Sequence, residues 1–312
     1  MKKPGIPIKI FILLFLLTAA CTASYAQQLP DTTYSASIPH PAYKQGKGPI
    51  ICIDQAHYNM HTKKGGFIAF SKLLEQDGYK VNALNSLLNS TDALSQCRIL
   101  VIVNALDSSN LNRWVLPTPS AFSNKEIATI KNWVENGGSL LLIADHMPFA
   151  GAAYKLGNAF GFEFLNGFAI TRENSWPPSV FILADKSLDE SPITTGAKAP
   201  DRITTVTTFT GSAFKSPQGA IPVLSFIEGN YALMPDTAWA FNAKTPRRNL
   251  VGCQQGAILE YGKGKVAVFG EAAMFTAQIV NGQMKVGFNS EDAPQNVQFI
   301  LNLVHWLDRV KK

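Results

Sequence analysis

Charge is scarce in this chain of 312 residues, with Asp, Glu, Lys and Arg together making up 16%. No basic run and no interleaving of basic with aromatic residues occurs, which excludes the electrostatic footprint of a nucleic-acid-binding protein. Cysteine is rarer still, at four residues, and no two stand in a CxxC spacing. That excludes a disulfide framework and a cysteine-rich zinc site. There is no HExxH motif, and the glycines of GKGK suit a hairpin rather than a phosphate loop because the Walker pattern is absent. Beyond the first 26 residues no apolar run is long enough to span a bilayer. What is present is a hydrophobic content of 46%, enough for a large folded core.

The opening segment, MKKPGIPIKIFILLFLLTAACTASYAQQ, places Lys2, Lys3 and Lys9 before an apolar stretch and then the small-x-small pattern Ser24-Tyr25-Ala26. This reads as a signal peptide over residues 1–26, giving an exported, periplasmic or extracellular protein with no transmembrane helix in the mature chain. A lipid anchor at Cys21 is the weaker alternative, since Thr18 stands where a lipobox usually has Leu. Cleavage after Ala26 leaves 25 basic against 22 acidic residues, a net +3 in place of +6. Cys52, Cys97 and Cys253 remain. One bridge, Cys52 with Cys97, fits the count, but Cys52 reads better as a small apolar residue packed in its strand.

Residues 27–47, with Pro30, Pro39 and Pro41, read as an extended leader over the domain. From residue 48 onward strand and helix patterns alternate. Ile50 to Ile53 is a short buried strand ending in Asp54 and His57; Phe67, Phe70, Leu73 and Leu74 then fall on one helical face. Tyr79 to Leu84 and RILVIVNAL supply two more strands, the latter closed by Asn104. Ser123 three residues before Glu126 is a capping box, and Ile127, Ile130 and Val134 follow at helical spacing. Leu140 to Ala144 is a continuous apolar strand ending in Asp145 and His146. Residues 166–248 change rhythm, with short β-type runs between Pro, Gly and Ser, and read as a β-rich insertion. A hairpin across Gly262 to Gly264 leads into a strand ending at Gly270-Glu271, and VQFILNLVHWLDRV closes the chain as an amphipathic helix. The alternation predicts an α/β domain over 48–312, with a mainly parallel sheet covered on both faces.

Parallel strands share one carboxyl edge, where open α/β sheets bind ligands. Asp54 with His57, Asp145 with His146, and Glu271 therefore converge on one rim. Two readings stay open. Carboxylates and imidazoles suit a divalent metal held by Asp54, His57, Asp145, His146 and Glu271, which would activate a water. Alternatively, metal-free acid–base catalysis uses His146 or His57 oriented by Asp145 or Glu271. Asp54, Asn104, Arg172 and Trp176 complete the candidate ligand-binding set, the last by stacking. The bland alternative makes Asp145 a helix cap and His146 a partner of a loop carbonyl. His61 reads as a loop surface residue, His305 as structural, and His40 as part of the leader.

IDQAHYN, LLLIADHMPFAGAA, TFTGSAF, QGAILEYGKGKVAVFGEAAMFTAQ and NVQFILNLVHWL together resemble an uncharacterised exported bacterial family of the class I glutamine amidotransferase-like superfamily. The resemblance covers most of residues 48–310 and implies a three-layer flavodoxin-like sandwich with its crevice above the central strand. It also implies a departure: amidotransferases carry a Gly-x-Cys-x-Gly elbow after that strand and a His and Glu after a late one. Here Asp145-His146-Met147 and Gly270-Glu271-Ala272 stand in those places, so cysteine-dependent glutamine hydrolysis is not expected. Relatives linked to carbohydrate metabolism or to scaffolding leave two expectations. One is a hydrolase acting on an envelope carbohydrate or similar small polar substrate. The other is a noncatalytic binding module.

Overall fold

The computed structural model describes residues 28–171 and 178–310, so the expected signal peptide with Cys21, and both Arg172 and Trp176, lie outside the described residues. The elements of the central domain are β1 (Ile50–Asp54), α1 (Ile68–Gln76), β2 (Lys80–Leu84), β3 (Cys97–Val103), α2 (Asn124–Glu135), β4 (Ser139–Ile143), α3 (Phe149–Asn158), β5 (Glu163–Leu165), α4 (Pro192–Thr195), β6 (Ala213–Lys215), β7 (Ile221–Ser225), β8 (Gln254–Tyr261), β9 (Gly264–Phe269) and α5 (Asn296–Asp308). The sheet runs β2-β1-β3-β4-β9-β8-β6-β5, with β7 also paired to β8. The five strands from β2 to β9 are parallel, and those beyond β9 are antiparallel.

Alternation along the strands sends side chains to two faces. Ile51, Ile53, Leu141 and Ile143 join Phe70, Leu73 and Leu74 of α1 and Phe299, Ile300 and Leu303 of α5 in one apolar cluster. Cys52, Leu100, Leu140 and Leu142 join Ile130 and Val134 of α2 and Ala153 and Leu156 of α3 in another. A sheet buried on both faces needs this continuous apolar sequence, which is why β4 carries five buried residues in a row. The α/β class with a large, mainly parallel sheet holds, while the antiparallel share is larger than the alternation alone suggests.

Two sequence expectations change. Cys52 is not a free packing residue: it is bonded to Cys97, with the two Cα atoms 5.7 Å apart on the neighbouring strands β1 and β3. The stretch 166–248 contributes strands both beside the central sheet and within it. Its strands Phe168–Ile170, Tyr231–Leu233 and Arg247–Asn249 form a small antiparallel sheet, but β6 and β7 join the central one. The leader, too, is stitched into the domain: Gln28–Pro30 pairs antiparallel with Ala277–Val280, and Ala42 N donates to Asp77 Oδ1 at 2.6 Å. Gly78 permits this crossing. It takes φ +91 at the end of α1, and a Cβ there would lie 2.3 Å from the Tyr43 carbonyl oxygen.

Among the described residues no helix is long and apolar enough to cross a membrane.

Candidate functional site at the carboxyl edge

In-register pairing of Val103 with Ile143, and of Ile143 with Phe269, brings the ends of β3, β4 and β9 level. Asn104, Asp145 and Glu271 leave these ends side by side, and Asp54 ends the adjoining β1. The predicted residues divide into two groups.

The first group lies beneath the rim. His57 Nδ1 is 3.0 and 2.9 Å from the two Asp54 carboxylate oxygens, and its Nε2 is 2.9 Å from Glu126 Oε1. Glu126 meanwhile completes the capping box of α2, taking the Ser123 N–H and hydroxyl on its other oxygen. Asp54 also accepts from Asn59 Nδ2 at 3.0 Å and is wholly buried. Burial works against a charge on His57, but hydrogen bonds and the fields of Asp54 and then Glu126 outweigh it and raise the imidazole's pKa. For Glu126, burial is likewise outweighed by the His57 and Ser123 hydrogen bonds, and the carboxyl is held below its usual range. With both ring nitrogens donating to carboxylates, His57 is an imidazolium clamped between β1 and α2. Asp54 and His57 have no capacity left for a ligand.

The second group forms the rim itself. Asp145 Oδ1 accepts the His146 amide at 2.7 Å and Oδ2 the Ala272 amide at 3.3 Å, while Asn104 Oδ1 accepts the Asp145 amide at 3.0 Å. Asn104 is thus a tie between β3 and β4, and almost wholly buried. Glu271 takes the next two amides of the same turn, from Ala273 at 2.8 Å and Met274 at 2.7 Å. Burial first, and the nearby Asp145 charge second, push the Glu271 pKa well up against those amide bonds. Glu271 is thereby shifted toward its protonated form, beside a second carboxyl.

His146, which follows Asp145, has its ring in an aromatic setting. Its ring stacks on Phe168 at 4.6 Å and 11°, meets Trp239 edge-on at 4.7 Å, and has Phe149 and Trp114 about it at 5.8 and 6.0 Å. Nδ1 lies 2.7 Å from the Met147 carbonyl, so Nδ1 carries a proton and donates it to that oxygen. Trp239 and Phe241, 41% and 36% exposed, extend the aromatic wall outward.

Among the described residues no three His, Cys, Asp or Glu side chains gather to hold a metal ion. The five-residue metal set does not assemble: Asp54 and His57 are bonded to each other, and His57 also to Glu126. Two residues escaped sequence reading. Glu126 was visible only as a helix cap, and nothing local announced its second partner 69 positions away. His61, read as a surface residue, is partly accessible yet enclosed enough that burial lowers its pKa to about 4, against the opposing pull of Asp145.

The fold and edge define a mixed α/β protein whose polar groups crowd the carboxyl ends of parallel strands. No protein-family model matches the chain, and no curated sequence does. Among solved structures it is similar to the mmIFT52 N-terminal domain, at 14% identity and TM-score 0.57, over 83% of this chain and 97% of that one. It is also similar to a cytoplasmic protein from Salmonella typhimurium, at 16% identity and TM-score 0.50, over 83% and 98%. A putative ThuA-like protein from Bacteroides uniformis aligns at 12% identity and TM-score 0.45, over 88% and 94%. At these identities the likeness to the first two is one of fold alone.

Proposed function

We propose that the chain is an exported protein of the class I glutamine amidotransferase-like type, with flavodoxin-like layering, that lacks the nucleophilic cysteine. Its carboxyl edge takes a carbohydrate or other small polar ligand. The observation that carries the reading is the Asp145–Glu271 pair next to His146. Burial and the Asp145 charge push the Glu271 pKa well up, and the His146 imidazole, its Nδ1 donating to the Met147 carbonyl, lies against an exposed aromatic wall. Aromatic faces suit sugar rings, and an acid–carboxylate pair suits hydrolysis of a polar bond. The noncatalytic alternative draws on a specific feature: Glu271 is wholly buried and its oxygens are engaged by backbone amides.

Titration calorimetry with maltose, cellobiose and diacetylchitobiose, paired with a reducing-end release assay, tests this. Binding should be lost in Trp239→Ala and His146→Ala chains that keep their melting temperature. Release that disappears in Asp145→Asn supports the hydrolase; binding without release supports the binding module. If none of the three sugars binds, the carbohydrate reading is wrong. Export is tested by the N-terminus of the secreted protein, expected at Gln27.

A further inference from the structure

We propose that His61 is a ligand-contacting group of this rim, an imidazole whose unbonded ring nitrogen accepts a hydrogen bond from a hydroxyl of an uncharged, hydroxyl-bearing ligand. The proposal rests on the reading of the rim as a polar-ligand site and adds to it a residue that stands outside the Asp145–His146–Glu271 group.

The loop that carries His61 is fastened directly across the strand ends. Leu106 N donates to the His57 carbonyl at 2.9 Å and Met60 N to the Asn104 carbonyl at 3.0 Å. Asn59 Nδ2 reaches both Asp54 and the Val103 carbonyl. The same Asn104 whose backbone holds Met60 uses its side chain to hold the Asp145 amide, so His61 follows immediately after a residue pinned to Asp145's own support.

The ring is also held in place. It stacks on Phe67 with centroids 5.6 Å apart and planes 17° from parallel. A Cβ on Gly66 would come 2.0 Å from His61 Nδ1, so only glycine leaves room for the imidazole where it lies.

What sets His61 apart is its unused bonding capacity. His57 is bonded on both nitrogens, His146 to the Met147 carbonyl, and His305 to Asp77 at 2.5 Å. Among the described residues neither ring nitrogen of His61 has a hydrogen-bond partner. A half-enclosed imidazole kept for packing would ordinarily find a carbonyl or carboxylate. The charged group that acts on it is Asp145; the neighbouring Lys63 is turned away to Glu75 and the Val81 carbonyl. With Asp145 on one side and exposed Tyr58 and Met60 on its own loop, the free nitrogen is suited to an O–H donor.

Diethyl pyrocarbonate labelling at pH 6, read by peptide mass spectrometry on the folded chain, tests this with internal references. His61 should be acylated on the timescale of exposed His40, while His57 and His305 react only after unfolding. The sugar that binds the wild type should slow labelling at His61 and not at His40. In Gly66→Ala, where the ring must leave its seat, the His61 rate should change. A His61 as inert as His57, or labelled at the same rate with and without a bound sugar, overturns the proposal. If His61 is reactive but none of the sugars binds, the carbohydrate reading fails and the ligand class assigned to His61 fails with it. If a sugar binds and His61 is inert, only the present inference falls.

Discussion

His57 and His61 stand four residues apart on one loop, yet the fold treats them in opposite ways. His57 is sandwiched between two carboxylates, and its pKa is raised; His61 has no partner, and burial drives its pKa down to about 4. The first is a clamp joining β1 to the start of α2. The second stands over the ends of the strands that the clamp aligns. The contrast teaches that proximity to a strand's carboxyl end does not by itself make a residue functional. Satisfied groups hold the rim in position, and unsatisfied ones are left to meet something else.

The largest expected effect comes from breaking the clamp. Glu126→Ala leaves a buried imidazolium short of a partner and removes the reciprocal half of the α2 capping box, and should cost about 3–5 kcal/mol in urea unfolding. A loss within the scatter of ordinary surface substitutions would show that His57 is neutral and the clamp weak. Next is Gly66→Ala, which forces a methyl into the place of the His61 ring and should cost about 1–3 kcal/mol by overpacking, less if the imidazole swings into solvent. Labelling of His61 distinguishes the two.

Glu271→Gln sharpens the rim side of the contrast. Because the folded pKa of Glu271 is raised, its protonated form favours the native state at low pH, and that contribution is lost as pH rises through the folded value. The glutamine variant should therefore gain stability relative to wild type as pH increases above the ordinary carboxyl range, with little difference in acid. His61 has the opposite sign. Its folded pKa lies below the ordinary 6.5, so the unfolded chain binds more protons between there and about 4, and stability falls as pH drops through that window. His61→Gln should flatten that acid limb, the smallest of the four effects, measurable from melting temperatures at pH 7 and pH 4.5.

Much of the architecture was legible because it depends on local pattern. The apolar run of β4, the Gly137-Gly138 stop before it and the Ser123–Glu126 cap are short-range signals, and the strands they bound do form adjacent parallel members of one sheet. The convergence of Asn104, Asp145 and Glu271 follows from that register alone. What escaped were long-range choices. Nothing near Glu126 announces that it reaches His57, and nothing near β6 or β7 announces that β8 will be their partner rather than each other. His61 escaped for a different reason: its environment is made by Gly66 and Phe67 behind it and by Asp145 from another strand, so its residue type alone resembled any loop histidine.

The division between clamp and rim is tested most directly by nitrogen-15 NMR of the histidine side chains between pH 4 and pH 8. The account predicts that His57 carries protons on both ring nitrogens at neutral pH, while His61 stays neutral until the solution approaches its folded pKa of about 4. Two imidazoles titrating together near 6.5, or a His57 that is neutral while His61 is charged, would contradict it.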